Sequence, residues 1–337
     1  MDSVTQIALG AAVGIATMGR RTKPWKAALV GAVTATFPDL DAFIDHGDPI
    51  RNMTFHRTES HAFFYLTLVA PLLAWITALI FREKPLFKRW WLAIWLALIT
   101  HPMLDYMTVY GTQLGLPFTD TPFGLGSIFI IDLAYTLPLL IGAGVAMSRA
   151  HHRGLSWNKA GLLVSTLYLG WSALAQHQVT GIAEASLRER GLTVERLQVT
   201  PTAFNTVLWR VLAITPEGYA EGYYSFFDAD RHVDVTIRPQ GRELLPPLAE
   251  DWSTQRIAWF SHGLFKLSQQ GDKILITDLR MGQEPYYTFN FVVATRQGES
   301  FVPTSPRLVN QRPPIDLGMQ WLWRRLKGEK INPPGID

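Results

Sequence analysis

The sequence predicts an N-terminal polytopic α-helical membrane bundle followed by a soluble α+β domain with an antiparallel sheet. Residues 62–81 form an apolar run without charges, and about 20 helical residues cross a hydrocarbon core of ~30 Å. Further apolar runs recur up to residue 179, whereas the later sequence consists of short β-rich runs. We therefore divide the 337-residue chain into a membrane domain, 1–180, and a soluble domain, 181–337.

Six apolar segments are candidates for membrane helices. Four have the composition of full spans, and two shorter ones, rich in glycine and alanine, are expected to span or to form a re-entrant hairpin. Gly10 and Gly14 in the first short segment form a small-xxx-small pair that permits close helix contact. The full spans are 62–81, 90–107, 128–148 and 160–179, and the short segments are 3–19 and 25–37.

The distribution of basic residues predicts the orientation of these spans. Lysine and arginine are concentrated in 20–26, 82–89 and 149–159, whereas 39–61 is mostly acidic and 108–127 contains neither lysine nor arginine. Basic loops stay in the cytoplasm. The expected protein is therefore a multi-pass protein of a bacterial inner membrane, with a periplasmic C-terminal domain.

Ionisable residues collect at the predicted outer ends of the spans. A charged residue within a span costs about 2.5–3.5 kcal/mol on insertion scales and is seldom kept without a partner or a function. His101 and Asp105 are one helical turn apart and share a face, and the two aspartates of PDLD would share a side if that segment were extended. The candidate metal ligands are Asp2, Asp39, Asp41, His56, His61, His101, Asp105 and Asp132.

Imidazole and carboxylate groups, in a chain with no cysteine, indicate the kind of metal. This ligand set suits zinc, with manganese or iron as alternatives, and the number of candidate ligands allows one or two ions. A hydrolytic reaction through metal-activated water would follow, with Asp39, Asp41 or Glu59 as the base. The DHGDP sequence between the two ligand motifs is expected to form only a turn.

These motifs also carry a family resemblance. The start MDSVTQIALGAAVG, then PDLD, HRTESH, HPMLD followed by TVYGTQL, and GSIFIIDLAYTLPLL resemble the bacterial membrane-bound metal-dependent hydrolase family, the YdjM-like or DUF457 inner-membrane proteins. In the C-terminal half, VTPTAFNTVLWRV, EGYYSFFD and ITDLRMG resemble the soluble tail of a long branch of that family.

The resemblance implies a metal-dependent hydrolase. Its acidic pair is matched by Asp39 and Asp41, and its HRxxSH and HxxxD elements by the corresponding residues of HRTESH and HPMLD. Many relatives have a histidine where this chain has Gln6, which would offer at best a weak oxygen ligand or a hydrogen bond. The spacing is also similar to that of helical zinc phospholipases C, which favours a phosphoester or lipid-linked substrate, with Arg57 available to its anionic group.

The C-terminal part predicts an antiparallel sheet. VTGIAEASLRERG reads as a helix closed by Gly191. Short β-rich runs follow it: LTVERLQVT, TVLWRVLAI, GYYSFF, VDVTIRP, DKILITDL and YYTFNFVVAT.

Two other function classes compete with the hydrolase. One is a proton- or ion-coupled transporter, although no inverted repeat is evident. The other is a non-catalytic protein in which a metal only holds loops together. The expected partners are the bilayer and a membrane lipid or lipid-linked substrate. A net charge of +3 gives no indication of nucleic-acid binding, and the sequence leaves the oligomeric state open.

Overall fold

The computed structural model describes residues 1–148, 152–309 and 314–336, so part of the third basic segment, residues 149–151, lies outside the described residues. Between the longer helices lie short 3₁₀ helices at Pro38–Phe43 and Glu59–His61. The longer helices are α1 (Ser3–Met18), α2 (Pro24–Thr36), α3 (Pro49–Phe55), α4 (Phe63–Ile80), α5 (Phe87–Tyr106), α6 (Leu133–Ser148), α7 (His152–Glu189), α8 (Trp252–Phe260) and α9 (Ile315–Leu326).

The C-terminal half contains the antiparallel sheets that the sequence predicts. One four-stranded sheet has the order β1-β2-β3-β4, a second has the order β10-β9-β6-β5, and β7 pairs with β8. The strands are β1 (Arg196–Pro201), β2 (Leu208–Thr215), β3 (Gly218–Ser225), β4 (Val235–Arg238), β5 (Phe265–Gln270), β6 (Lys273–Asp278), β7 (Gly282–Gln283), β8 (Tyr286–Tyr287), β9 (Asn290–Gln297) and β10 (Ser300–Leu308).

The chain forms two compact units that alternate along the sequence. The first unit comprises Met1–Ile44, Arg57–Leu174 and Ala203–Asn205. The second comprises Asp45–His56, Ala175–Thr202 and the chain from Thr206 onward. The short segment Asp45–His56, which contains α3, therefore belongs to the second unit although both of its sequence neighbours belong to the first.

The first unit buries small side chains and exposes large apolar ones. Along α4, Ala70, Ala74 and Ala78 are buried at a spacing of four residues, whereas Leu72 and Ile80 are more than half exposed. A soluble helix would show the opposite pattern, but close packing through small residues is what helices in lipid require. Helices α1 and α2 approach closely at Gly10 and Gly31, where a Cβ atom on Gly10 would lie 2.3 Å from the carbonyl oxygen of Gly31.

The number of membrane spans must be corrected. Among the described helices only α4 is long and apolar enough to cross a membrane, against the four full and two shorter spans that the sequence indicated. Helices α1, α2 and α6 have 16, 13 and 16 residues and are about 20–24 Å long, less than the hydrocarbon core. Helix α5 has 20 residues but includes Lys88, Arg89 and Asp105, and serine, threonine, glutamine and histidine interrupt the apolar part of α7.

The second unit has a conventional soluble core. The part of α7 from Ala175 to Leu187 packs with the first sheet, which contributes the buried side chains of Trp209, Val211 and Ala220. The short helix that the sequence indicated before Gly191 is the end of the long α7 and not a separate helix. Gly191 follows it with a φ of +75°, as expected for a glycine that closes a helix.

Candidate metal centre

Three segments of the first unit bring four side chains together. Asp39 lies on the 3₁₀ helix that follows α2, His61 ends the 3₁₀ helix that precedes α4, and His101 and Asp105 lie one turn apart near the end of α5. One potential ligand atom from each of the four residues lies within 4.8 Å of the other three. PDLD is thus helical and not extended, and its two aspartates approach different ring nitrogens of His61.

The distances within this group fit a single ion. The Nε2 atoms of His61 and His101 are 3.2 Å apart, and each lies 3.3 Å from Asp105 Oδ2 and 3.4 Å from Asp39 Oδ1. Four donors about 2.0–2.2 Å from a zinc ion at tetrahedral angles lie about 3.3–3.6 Å from one another. Five of the six distances are thus close to this range, and the sixth, between the Asp39 and Asp105 carboxylates, is at most 4.8 Å. Among the described residues this is the group that could hold a metal ion.

The other ring nitrogen of His101 fixes the orientation of that ring. His101 Nδ1 lies 2.5 Å from the carbonyl oxygen of Ala35. A carbonyl oxygen can only accept, so Nδ1 carries the hydrogen and Nε2 of a neutral ring presents its lone pair to the group. Backbone carbonyls commonly orient metal-binding histidines in this way.

A series of hydrogen bonds between side chains fixes the orientation of the His61 ring. The Ser60 hydroxyl donates to Asp41 Oδ2 at 2.5 Å, so its oxygen accepts the hydrogen of His61 Nδ1, which is 2.8 Å away. Asp41 Oδ2 also lies 3.4 Å from that nitrogen. Nε2 of a neutral His61 is thereby left as the metal-facing atom, and Asp41 is a residue that orients a ligand.

One carboxylate oxygen of Asp105 has several hydrogen-bonding and charged partners, and the other faces the two histidines. Its Oδ1 accepts hydrogen bonds from the amino group of Met1 and from Gln6 Nε2, the latter at 3.2 Å, and lies 3.3 Å from Arg57 Nη2. Its Oδ2 is buried and makes no hydrogen bond. With both histidines neutral, this buried carboxylate oxygen has no donor, which is costly, and a cation among the four residues would remove that cost. The residues present therefore fit a divalent metal.

Arg57 has a different environment from the one we expected. Its side chain is 5% exposed and faces Asp105, its Nη1 donates to Thr108 Oγ1 at 3.4 Å, and its guanidinium lies 4.8 Å from the ring centre of Tyr110. The structure thus gives Arg57 partners inside the protein where the sequence suggested an anionic substrate. Its principal electrostatic effect here is to compensate the charge of Asp105.

The pKa values of two members follow from these contacts. Burial opposes a charge on Asp39, but its interactions with His101 and His61 outweigh it and hold the pKa of Asp39 well below its usual range. Burial also opposes a charge on His61, but the carboxylates of Asp105, Asp39 and Asp41 outweigh it and raise the pKa of His61 to about 9. In the absence of metal, His61 is therefore protonated at neutral pH. Asp39, at 24% exposure, is the member that opens to the surface.

The remaining predicted ligands lie outside this group. Asp2 caps α1 by accepting from the amides of Val4 and Thr5. Asp132 accepts from the amides that begin α6 and from the Tyr168 hydroxyl at 2.8 Å. His56 ends α3 in the second unit, and Glu59 is exposed.

Sequence reasoning missed several contributors to the centre, including the Met1 amino group on Asp105. The Ala35 carbonyl is a backbone group, so residue type gives no signal for it. Thr108 lies three residues after Asp105, where its hydroxyl donates to the Asp105 carbonyl and accepts from Arg57. A threonine just past the end of a ligand-bearing helix is a weak signal that could have found it.

An apolar helical unit that encloses two histidines and two aspartates defines a class of membrane-associated protein with a candidate metal centre. The chain belongs to the YdjM inner membrane protein family, whose sequence model matches residues 1–179 and thus just over half of the chain. The family supports a location in the inner membrane and is consistent with a metal-dependent hydrolase. Comparisons with curated proteins and with solved structures returned no match.

Proposed function

We propose that this protein is a metal-dependent hydrolase of the bacterial inner membrane, with its centre at the outer membrane face, acting on a lipid-like or phosphoester substrate. The observation that carries the proposal is the set of four donor atoms within 4.8 Å of one another, with the Nδ1 atoms of both histidines held by their neighbours. The family assignment supports the location. The inside-out packing of α4 supports access to lipid.

The roles of the chain's own groups follow from the contacts. Asp39, His61, His101 and Asp105 would hold the ion, and Asp41 with Ser60 would keep His61 in its binding orientation. A divalent ion there would acidify a water molecule to make a nucleophile and would polarise a phosphoryl or carbonyl oxygen. Asp41 is occupied by the Arg57 amide and Ser60. We therefore keep Asp39 and the exposed Glu59 as the candidate proton acceptors.

The arrangement of α4 and α5 supports a second crossing of the membrane by α5. His61 at the start of α4 meets His101 near the end of α5, so the two packed helices run in opposite directions. Lys88 and Arg89 then lie at the far end of α5, beside the basic residues that follow α4. In this arrangement the metal centre faces the periplasm and the basic ends face the cytoplasm.

The geometry also favours one alternative, a non-catalytic metal that only holds the segments together. Four protein ligands close a tetrahedral zinc site, whereas catalytic zinc sites keep a position for water. Hydrolysis therefore requires either that Asp39 leave a ligand position free for water, or an ion that accepts more than four ligands. Manganese and iron in carboxylate-rich sites meet that requirement.

Metal content of the purified protein tests the premise that both candidates share. Wild-type protein should carry about one equivalent of a divalent transition metal, and the double variant His61→Ala with His101→Ala should carry none above background. His177→Ala is the matched control, because His177 is an exposed histidine on α7. A metal-free wild type that also fails to take up zinc, manganese or iron would refute the proposal.

Hydrolysis separates the two candidates. Wild type and Asp105→Ala are each supplied with metal and given bis(4-nitrophenyl) phosphate and a fluorogenic phospholipid in mixed micelles. We expect turnover by the wild type and a loss of at least a hundredfold in the variant. Equal background rates in both proteins would refute the hydrolase and would leave the non-catalytic metal site as the remaining candidate.

A further inference from the structure

The segment that joins the two ligand motifs is a folded part of the second unit. Asp41 lies four residues before Asp45, where the segment enters that unit, and Arg57 directly follows His56, where it leaves. The backbone thus joins the segment directly to Arg57 and, through three residues, to Asp41, both of which lie beside the metal centre. A change in how α3 is held can therefore reach these two residues along the chain.

Helix α3 is well anchored for so short a helix. Asp48 caps its first turn by accepting from the amides of Ile50 and Arg51, each at 2.9 Å. Ile50 and Met53 are buried. The Arg51 guanidinium lies 4.7 Å from the ring centre of Trp252, at the start of α8. DHGDP itself forms the turn that the sequence indicates, with Gly47 at a φ of +94°, and α3 is a further element that begins at its last residue.

Arg256 on α8 makes the contacts at the other end of α3. Its Nε donates to Thr54 Oγ1 at 2.9 Å, and its Nη2 donates to the Thr54 carbonyl oxygen at 3.3 Å. Its guanidinium lies between two aromatic rings, 4.8 Å from the centre of Phe55 and 4.2 Å from that of Trp259. Arginine can combine both interactions because its fork is planar, whereas lysine cannot.

The residue that follows this anchored end has a strained backbone. Arg57 has a φ of +68°, which is uncommon for a residue other than glycine and costs on the order of 1 kcal/mol. Its amide donates to Asp41 Oδ2 at 2.9 Å, and its carbonyl accepts from the Gln113 amide at 3.0 Å. Such a conformation persists when the surrounding structure fixes the residues before and after it. Before Arg57, Arg256 fixes Thr54 through its hydrogen bonds.

We propose that Arg256 is a positioning residue for the metal centre, because its grip on Thr54 fixes the chain that places Asp41 and Arg57. The metal centre is that of the proposed function, but the positioning effect exists without a metal. By linkage, metal binding should in turn stabilise α3 against local opening.

Amide hydrogen exchange of the metal-free, full-length protein in detergent tests the positioning directly. In Arg256→Met, the amides of Arg57 and His61 should exchange about tenfold faster than in the wild type. Arg296→Met is the control, since Arg296 lies on β9 with its guanidinium 4.5 Å from the Phe301 ring centre and makes the same kind of contact elsewhere in the second unit. If faster exchange is confined to α3 and α8, Arg256 has only a structural role and the proposal is overturned.

Zinc affinity gives the second readout. Loss of a group that orients a metal ligand typically weakens binding by 10–100-fold, and we expect about tenfold for Arg256→Met and no change for Arg296→Met. The milder Thr54→Val removes only the hydroxyl acceptor and should weaken binding two- to fivefold. In the double variant Arg256→Met with Thr54→Val, zinc affinity should be no lower than in Arg256→Met alone. Unchanged affinity in both single variants would overturn the proposal.

The two readouts separate this proposal from the proposed function. If wild type binds no metal but Arg256→Met still accelerates exchange at Arg57 and His61, the positioning role stands and the metal hypothesis fails. If wild type binds metal but neither readout responds to Arg256→Met, the metal hypothesis stands and Arg256 has no part in it.

Discussion

At the level of single residues, the two histidines of the centre differ in what holds their Nδ1 atoms. A backbone carbonyl holds His101, and no side-chain substitution can remove it. His61 depends on Ser60 and Asp41, which are both replaceable. The binding orientation of His61 is therefore the part of the centre that mutation can adjust without touching a ligand.

Substitution of these two supports should weaken metal binding in a definite order. In Ser60→Ala, His61 Nδ1 keeps Asp41 Oδ2 at 3.4 Å, so we expect about a tenfold loss of zinc affinity. Asp41→Asn removes the negative charge and should cost more, toward a hundredfold. Competition with a chromogenic chelator measures both. Ser148→Ala and Asp120→Asn, at exposed positions, are the controls, and an affinity loss in the controls equal to that in the variants would contradict the prediction.

Metal affinity should depend on pH through His61. The pKa of about 9 in the metal-free protein lies above the ordinary value of 6.5, and only neutral His61 can bind the ion. Its charged contacts stabilise the metal-free fold fully below about pH 6.5, and this contribution is lost as the pH rises through about 9. Zinc affinity should therefore increase up to tenfold per pH unit from about pH 7 toward pH 9.

Calorimetry in buffers of different ionisation enthalpy should detect about one proton released per zinc ion near neutral pH. His61→Gln should abolish that release while leaving a weaker site. Proton release that is the same in His61→Gln as in the wild type would show that another group titrates.

Residue types carried most of the information about the centre. Asp39, His61, His101 and Asp105 all belong to the predicted ligand set, because buried charges near apolar spans are rare enough to be noticed. Asp2 and Asp132 carried the same signal but cap helices, since a carboxylate at a helix start binds backbone amides as readily as a metal. Only geometry separates these two roles.

At the level of elements, the contact between α1 and α2 is made of backbone. The glycine spacing in α1 predicts a close helix contact, and the structure shows it at Gly10, Gly14 and Gly31. Ala35 lies near the end of α2, and its carbonyl orients His101. The distance between these helices therefore bears on the metal centre as well as on stability.

A single methyl group should disturb this contact. In Gly31→Ala, the new Cβ would lie 2.0 Å from the Gly10 carbonyl oxygen, so the helices must separate, at a cost of about 1–3 kcal/mol or more. Thermal unfolding in detergent should show a lower midpoint, and zinc affinity should fall. Gly144→Ala has nothing within 4 Å of the new atom and should be neutral or slightly stabilising. Equal midpoints for the two variants would refute the prediction.

The membrane spans were the elements that the sequence predicted least well. Apolar runs locate the helices, but they do not show whether each helix is long and apolar enough to cross a membrane. Helices α1 and α2 nearly match the short segments 3–19 and 25–37, whereas α6 begins at Leu133, inside the run 128–148. The antiparallel sheets were easier to predict, because turn residues separate their strands clearly.

At the level of the whole molecule, the orientation of the C-terminal unit depends on how many helices cross the membrane. With the acidic segment before α4 outside and the basic segment after it inside, a crossing by α4 alone would leave the rest of the chain in the cytoplasm. Three further crossings, by α5, α6 and α7, would bring residues after 180 to the periplasm.

A reporter at the C-terminus distinguishes these topologies. If α5, α6 and α7 all cross, alkaline phosphatase, which folds only outside the cytoplasm, should be active when fused after residue 336, and a green fluorescent protein at the same point should be dark. A phosphatase fused after residue 84, in the basic segment, should be inactive. The reverse result at residue 336 would mean that an even number of crossings follows α4.

The segment Asp45–His56 also sets an order of events during synthesis. Thr54 and Arg256 are 202 positions apart in sequence, which corresponds to about 10–40 s of translation. For much of that interval α3 exists, but the helix that holds it does not. If Arg256 positions the metal centre as proposed, the N-terminal half can enter the membrane early, but the centre reaches its final geometry only after α8 (Trp252–Phe260) has been made. A product terminated before α8 would then reach the membrane without that geometry.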